Sequence, residues 1–136
     1  MARLEANPAS PNWKRLEQAE LEQVLSLHER FLARERGGQR ASLALHDLSA
    51  INLADRNLSE ADLSGAKLQH TRLDGAKLRG ANLFAADLRM ASVEGADLYQ
   101  ADLRGACLRG TQLSDSSLVE ADIRDGALVQ SNPEGD

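Results

Sequence analysis

An aliphatic residue recurs at every fifth position along most of this chain, from Ala41 to Gln130. These central positions hold Leu43, Leu48, Leu53, Leu58, Leu63, Leu68, Leu73, Leu78, Leu83, Leu88, Val93, Leu98, Leu103, Leu108, Leu113, Leu118, Ile123 and Leu128. A period of five matches neither the period of about 3.6 of an α-helix nor the period of about 2 of a strand. It is typical of a stacked array, in which each unit is too small to bury its own apolar side chain.

Small residues occupy the position two before each central residue. From Ala61 onward these are Ala61, Ala66, Thr71, Ala76, Ala81, Ala86, Ala91, Ala96, Ala101, Ala106, Thr111, Ser116, Ala121 and Gly126. The residue between is usually polar, so the small and the central side chains share one side of a short extended segment. The last two residues of each unit are polar or small and often include glycine, which suits a turn.

Runs such as Ala61–Gly65, Ala81–Leu83 and Ala101–Gly105 resemble the A(D/N)LXX signature of the pentapeptide-repeat family. The resemblance implies an all-β solenoid, a right-handed quadrilateral β-helix with about 20 residues in each coil. On that rule the 90 residues from Ala41 to Gln130 make about 4.5 coils, roughly 22 Å tall at about 4.8 Å per layer.

Ahead of the repeats, one stripe at helical spacing carries Leu21, Val24, Leu25, His28, Phe31 and Leu32. Glutamates precede the stripe and arginines follow it, which complements the helix dipole, and Gly37–Gly38 provides a stop. We predict a helix from about Glu17 to Arg36. Many pentapeptide-repeat proteins resemble this chain here, with a leucine-rich helix, a histidine and an aromatic residue before the first coil; the matching residues are His28, Phe31–Leu32 and Gly38–Ala41.

This helix is expected to cap the N-terminal end of the β-helix, where leucines and backbone groups would otherwise be open. The bulky residues at the small position are His46, Ile51 and Arg56, and all three lie in the first coil. With no coil beneath them, the side chains of these three residues can reach the helix. On the helix itself, we interpret His28 as a hydrogen-bonded cap histidine. The organisation is then an N-terminal arm (1–16), a capping helix and turn (17–38), the β-helix (41–130) and a C-terminal tail (131–136).

The C-terminal end is predicted to lack a second capping helix, because Asn132–Pro133 closely follows the last coil. The apolar residues left open there would be Leu113, Leu118, Ile123, Leu128 and Val129. We predict that two chains pack these ends together about a two-fold axis, as an end-to-end homodimer. The resemblance favours the same arrangement, since related proteins often dimerise through their C-terminal coils.

Composition changes this picture little. The chain has 136 residues, a net charge of −5 and 3% aromatic residues, which suits a single small domain with a narrow aliphatic interior. It shows no apolar leader and no segment long enough to cross a membrane, so we expect a cytoplasmic protein. Cys107 is the sole cysteine, which excludes an internal disulfide, and we interpret it as an ordinary outward-facing thiol.

Winding the chain at about 20 residues per coil sorts its charges onto four faces. One face holds Asp62, Asn82, Asp102 and Asp122, the next Lys67, His70, Asp87, Arg89 and Arg109, the third Asp55, Arg72, Asp74, Glu94 and Asp115, and the fourth Lys77, Arg79, Asp97 and Tyr99. Two interpretations stay open: a mixed, solvated surface, or one acidic and one basic wall offered to partners. Large outward apolar residues, namely Phe84, Met90 and Tyr99, are candidate partner contacts.

No catalytic, cofactor or metal site is predicted. The chain lacks a phosphate-binding GxxxxGK(S/T) loop, HExxH or CxxC metal spacing and a GxSxG nucleophile elbow. A column filled with leucine and alanine also offers no pocket for a reaction. We therefore expect a non-enzymatic structural scaffold or protein–protein interaction module with an unidentified protein partner, no cofactor, no membrane and no direct nucleic-acid binding.

The alternative function follows from a resemblance to quinolone-resistance pentapeptide-repeat proteins. It is a DNA mimic that regulates or protects a DNA-binding enzyme such as gyrase. Mimicry needs a long and strongly negative surface, because duplex DNA carries a charge about every 1.7 Å of its axis. Arginines interrupt the carboxylates on each face of this chain, which favours the interaction module over the mimic.

Overall fold

The computed structural model describes residues 13–125, and one helix, α1, spans Gln18–Leu32 within them. From Ser42 onward the chain forms a solenoid whose backbone pairing is parallel and joins residues 20 positions apart. Each unit of five contributes one paired residue, the one before the central aliphatic residue, so four units make one coil. The predicted total of about 4.5 coils includes residues 126–130, which lie outside the described residues.

The paired residues stack into four faces, numbered here in chain order. Face 1 carries Ser42, Asp62, Asn82, Asp102 and Asp122; face 2 carries Asp47, Lys67, Asp87 and Cys107; face 3 carries Asn52, Arg72, Ser92 and Gln112; face 4 carries Asn57, Lys77, Asp97 and Ser117. Hydrogen bonds run from coil to coil on each face. Asp62 N–H donates to Ala41 O at 3.0 Å, and Leu43 N–H donates to Asp62 O at 2.8 Å. Backbone groups are thereby satisfied between layers rather than within one unit.

The central residues and the small residues before them fill the interior of the solenoid. From Leu43 to Leu83 no central side chain is more than 2% exposed, and the same holds for the alanines from Ala41 to Ala106 at the small position. Where Thr71 takes the small position, its hydroxyl donates to Leu48 O at 2.7 Å. Burial of one leucine side chain contributes about 1.5–3 kcal/mol, so this column is the main source of stability.

Each corner is a four-residue turn with one left-handed residue. In the turn from Leu58 to Ala61, Ala61 N–H donates to Leu58 O at 3.0 Å and Glu60 has a φ of 67°. A positive φ at the third residue is the type II pattern. The short polar residue before the central leucine braces the turn from outside, as Asn82 Oδ1 does by accepting Phe84 N–H at 3.0 Å. This bond explains why Asp or Asn follows Ala in the signature, because only a short acceptor reaches that N–H.

Helix α1 ends at Leu32, four residues before Arg36, the predicted end of the helix. Arg34 adopts a left-handed φ of 61°, and Glu35 N–H donates to Arg30 O at 2.9 Å. This is the Schellman arrangement, with arginine at the position where glycine is usual. The helix therefore stops at Leu32, before the glycine pair is reached.

The predicted stop, Gly37–Gly38, serves a different purpose. At Gly38 the chain crosses so close to α1 that a Cβ atom there would overlap the backbone nitrogen of Phe31. One residue later, Gln39 N–H donates to Leu27 O at 3.0 Å. The glycine pair thus lets the chain return along the helix and begin the first coil.

Helix α1 lies across the N-terminal end of the solenoid. Leu21 and Leu25 are at most 2% exposed and share one apolar core with the central leucines of the first coil. Val24 on the helix and Ile51 on the first coil are half-buried against that core. The first layer of leucines is thereby removed from water at this end.

Candidate functional site

His28 joins α1 to the first coil through both of its ring nitrogens. The side chain is buried, Ala41 N–H donates to Nδ1 at 2.9 Å, and Nε2 lies 2.8 Å from Ser59 O. Because a carbonyl oxygen only accepts, Nε2 carries the proton and the ring is neutral. Burial lowers the pKa of His28, partly opposed by its bond to Ser59. Both nitrogens are thus occupied by backbone groups.

The other residues predicted at the cap divide between two environments. Arg56 reaches α1, with Nη1 at 3.1 Å from a Glu22 carboxylate oxygen and Nη2 at 3.3 Å from one of Glu29. His46 instead turns to its own coil, where Nδ1 lies 2.9 Å from Ala44 O. Since both glutamates are about half exposed, each ion pair contributes no more than about 1 kcal/mol.

The end of α1 carries two further predicted cap residues, Phe31 and Leu32, and both are half-buried. The ring of Phe31 stacks on that of His28, with 5.8 Å between the ring centroids. Phe31 therefore packs against the buried imidazole of His28.

Residues 13–15 add a short segment to face 2 beneath the first coil. Lys14 pairs in parallel with this coil, and Asp47 N–H donates to Lys14 O at 2.8 Å. The indole Nε1–H of Trp13 donates to Gly65 O at 3.0 Å. These residues belong to the predicted N-terminal arm 1–16. Together with α1 they cover backbone groups at the edge of the first coil.

Arginine and aspartate form the same two-bond contact at three places on the walls. The pairs are Asp87–Arg89, Asp102–Arg104 and Asp122–Arg124, with N···O distances of 2.7–2.9 Å. The hydrogen bond from Arg124 is the main cause that lowers the pKa of Asp122 to about 2. The bond from Arg104 lowers the pKa of Asp102 in the same way. These carboxylates stay ionised at neutral pH, and each neutralises the positive charge of the arginine with which it pairs.

The predicted partner contacts lie on three separate parts of the surface. Phe84 on face 1 is 46% exposed, Met90 at the corner after face 2 is 56% exposed, and Tyr99 on face 4 is half-buried. The guanidinium of Arg104 lies 5.4 Å from the Phe84 ring centroid, and that of Arg79 lies 4.8 Å from the Tyr99 ring centroid. The three residues therefore do not form one apolar patch.

Exposure of the central residues rises towards the C-terminal end of the described residues. Leu108 is 5% exposed, Leu118 is 37% exposed and Ile123 is 49% exposed, while Leu113 is half-buried against the core. The apolar interior is less covered here than at the end where α1 lies. The two remaining residues of the predicted dimer end, Leu128 and Val129, lie outside the described residues.

The described residues include neither a cluster of metal-ligating side chains nor a membrane-spanning helix. Residues 13–125 bring together no group of three or more His, Cys, Asp or Glu side chains that could hold a metal ion. Nor does this range include a helix with the length and hydropathy needed to cross a membrane. The cytoplasmic location stays a prediction.

The repeat region matches a known family profile. Residues 47–83, 81–119 and 96–132 match the profile described as pentapeptide repeats, with eight copies. No curated protein matches this chain. The matched ranges together cover most of the solenoid, from face 2 of the first coil onward.

Solved structures similar to this one carry the same repeats. A pentapeptide repeat protein from the Arabidopsis thaliana thylakoid lumen is 30% identical over 60% of this chain and 61% of its own, with a TM-score of 0.55. HetL, a pentapeptide repeat protein involved in heterocyst differentiation regulation in Nostoc, is 38% identical over 64% of this chain and 42% of its own, with a TM-score of 0.47. Another Nostoc pentapeptide repeat protein is 34% identical over 72% of this chain and 73% of its own, with a TM-score of 0.45. The chain spans less than two thirds of the length of the first two.

Proposed function

Because this chain belongs to the pentapeptide-repeat family, we propose that it is a non-enzymatic interaction scaffold, a rigid column whose walls and C-terminal end bind other proteins. The observation that carries this proposal is the solid interior. The space along the axis from Leu78 to Leu118 amounts to about 10 Å³, close to the least that one water molecule needs. Pockets for small ligands usually measure about 300–1,000 Å³. Binding is therefore left to the outer surface.

His28 supports the non-enzymatic assignment. A general base needs a ring nitrogen within reach of the proton that it abstracts. Both nitrogens of His28 are bonded to backbone groups, so this buried histidine holds the fold in place.

We place the partner contact at Phe84, with Met90 and Tyr99 as further candidates. Phe84 and Met90 are the more exposed, whereas Arg79 covers part of Tyr99. An aromatic side chain that is free before binding and buried afterwards is a common energetic centre of protein interfaces. Phe84 stays 46% exposed although Arg104 lies over its ring, so part of its apolar surface is accessible to a partner.

The test is capture of the partner from the native host, followed by pairwise binding of the purified proteins. Phe84→Ala should weaken binding about tenfold or more, without a change in the urea midpoint. Leu45→Ala, which truncates another exposed apolar residue (55% exposed), should bind as the wild type does. Failure to bind any host protein would contradict the scaffold, and unchanged binding by Phe84→Ala, Met90→Ala and Tyr99→Ala would contradict the contact site.

A DNA mimic is the second candidate, favoured by the carboxylates along face 3 and its corner, which are Asp55, Asp74, Glu94 and Asp115. Against it, arginines reduce the negative potential that a mimic needs on every face, and on face 3 itself Arg72 lies 3.7 Å from an Asp74 carboxylate oxygen. A gyrase supercoiling assay separates the two functions. Inhibition of the enzyme, or its protection from a quinolone, at low micromolar protein would favour the mimic and count against the scaffold.

We further propose that the C-terminal ends of two chains pack together as a homodimer. The rise in exposure from Leu108 to Ile123 supports this arrangement, because a second copy related by a two-fold axis would bury these apolar side chains. The interface would comprise Leu113, Leu118, Ile123, Leu128 and Val129.

A further inference from the structure

Face 2 carries two adjoining grooves that share two arginines. One groove, of about 370 Å³, is lined by Gln69, His70, Arg89, Met90 and Arg109. The other, of about 280 Å³, is lined by Ala85, Asp87, Arg89, Gly105, Cys107 and Arg109. Arg89 and Arg109 stand between the grooves in successive coils, about 4.8 Å apart along the column. The two grooves together are termed the basic groove.

The two arginines differ in how their charge is compensated. Arg89 donates to both oxygens of Asp87, at 2.9 and 2.8 Å. Arg109 occupies the same place one coil higher, but the residue two before it is Cys107 instead of an aspartate. Arg109 is exposed and forms no ion pair within residues 13–125. An uncompensated guanidinium in a concave site is suited to a carboxylate, which it binds through two parallel hydrogen bonds.

Positive charge extends from this groove to the N-terminal end of the column. Face 2 and the segment below it hold five basic residues, Lys14, Arg15, Lys67, Arg89 and Arg109, and two acidic ones, Asp47 and Asp87. The difference is a net charge of +3 on this wall, in a chain whose net charge is −5. Such a wall attracts an acidic partner and orients it on one side of the column.

Met90 adds an apolar contact to the rim of the groove. Its side chain is 56% exposed and lies over Gly110, where a Cβ atom would overlap the Met90 sulfur. An acidic peptide with an apolar side chain fits this mixture of guanidinium and thioether. A duplex fits it less well, because the Asp87 carboxylate lines the groove and the net charge of the chain is −5, and both disfavour phosphates.

We propose that the basic groove binds an acidic segment of a protein partner. Arg109 and Arg89 bind carboxylates of the segment, and Met90 contacts an apolar side chain between them. This inference rests on the proposed scaffold function. It adds a second contact surface, on face 2, to the one proposed at Phe84, and it specifies the chemistry of what binds there.

The first test uses a short fluorescein-labelled peptide of glutamates around one leucine, with binding followed by fluorescence anisotropy at low salt. The wild type should bind it saturably, and added salt should weaken binding. The double variant Arg89→Glu/Arg109→Glu should weaken binding about tenfold or more. The control is Arg72→Glu/Arg124→Glu on faces 3 and 1, which makes the same change in net charge and should stay within about twofold of the wild type.

The second test locates the peptide. Cys107 is the sole cysteine and lines the groove, so its alkylation by iodoacetamide reports access to this site. The acidic peptide should slow alkylation, and a lysine peptide of equal length should leave the rate unchanged. Urea midpoints of both double variants establish that they are folded.

Three outcomes would overturn the proposal: equal weakening by the two double variants, an unchanged alkylation rate, or tighter binding of a duplex oligonucleotide than of the peptide. The scaffold function is contradicted by a different result, namely failure to bind any host protein. A captured host protein that binds Arg89→Glu/Arg109→Glu as tightly as the wild type would leave the scaffold standing and remove only the basic groove.

Discussion

The imidazole of His28 and the backbone of Ala41 are joined by a hydrogen bond that only the neutral ring can make. Ala41 N–H donates to Nδ1 at 2.9 Å, while Nε2 bonds to Ser59 O at 2.8 Å. If Nδ1 were protonated, its N–H would face the N–H of Ala41, and the buried Ala41 N–H would lose its acceptor. An unsatisfied buried donor costs about 1–3 kcal/mol. The attachment of α1 therefore depends on the charge of one ring.

We expect the free energy of unfolding to fall as the pH is lowered from about 7.5 to about 5. Burial is the main cause that holds the pKa of His28 in the folded chain below its ordinary value of 6.5. The unfolded chain then binds more protons in this window, so the contribution of His28 to stability is fully present above the unfolded pKa and is lost as the pH falls from there through the folded pKa. Among the neighbouring charges, Arg40 disfavours protonation, whereas Glu60 and Glu29 favour it.

Urea midpoints at both pH values test this dependence. His28→Gln removes the titrating ring, so its midpoint should change less between the two pH values than that of the wild type. His70→Gln is the control, because His70 is exposed on an outer corner, and it should keep the wild-type change. A His28→Gln variant with the full wild-type change would show that another group is responsible.

The interior was predictable from the sequence because a repeat sets every unit in the same environment. Leu83 and Leu103 lie one coil apart and are at most 1% exposed, as the five-residue period predicts. One feature of the groove wall is also visible in the sequence. Arg89 follows Asp87 by two residues, whereas Arg109 follows Cys107, so Arg109 lacks the aspartate with which Arg89 pairs.

Features that depend on non-repeating contacts were not predictable. The helix ends at Leu32, because Arg34 shortly afterwards adopts a left-handed conformation that is uncommon for a residue with a side chain. The segment at Lys14 joins face 2 through backbone atoms, which every residue possesses. Neither feature leaves a mark in the pattern of apolar and polar residues.

Substitutions at Leu83 and Arg79 should separate the interior from the surface. Leu83→Ala should lower the free energy of unfolding by about 2–5 kcal/mol because it opens a cavity in a filled layer. Leu83→Lys should cost more, since it buries a charge without a partner. Arg79 has a side chain that is 58% exposed and pairs with Asp97, so Arg79→Ala should cost under about 1 kcal/mol. Similar urea midpoints for Leu83→Ala and Arg79→Ala would contradict the assignment.

Replacing asparagine by aspartate should have opposite effects on two faces. Asn82 and Asn57 each accept an N–H from the residue two further on, and aspartate keeps that acceptor. Asn82 lies between Asp62 and Asp102 on face 1, so Asn82→Asp should destabilise by about 0.2–1 kcal/mol.

Asn57, in contrast, lies below Lys77 on face 4, and Asn57→Asp should be neutral or slightly stabilising. Urea melts in low and high salt provide the measurement, and the difference between the variants should shrink as salt is added. A loss of equal size in both would mean that stacked charges do not govern these positions.

The glycine pair after α1 should respond unequally to alanine. Gly37 has a left-handed φ of 85° but meets only the flexible end of Arg30, so Gly37→Ala should cost about 1–2 kcal/mol. Gly38→Ala should cost more, because the new Cβ atom would overlap the backbone of Phe31 and the helix would have to move. Thermal melts followed by circular dichroism compare the two. A larger loss of thermal stability for Gly37→Ala than for Gly38→Ala would contradict the close approach of Gly38 to α1.

The proposed homodimer predicts a change of mass on a single substitution at the C-terminal end. Light scattering at micromolar concentration should give twice the chain mass of 14.7 kDa for the wild type. Ile123→Glu should give the mass of one chain, because a two-fold axis would bring a carboxylate from each copy into an apolar interface, where unpaired charges lose their water. Phe84→Glu adds the same charge to face 1 and should leave the dimer intact. A wild-type protein of 14.7 kDa would contradict the dimer, and an Ile123→Glu variant of twice that mass would place the interface elsewhere.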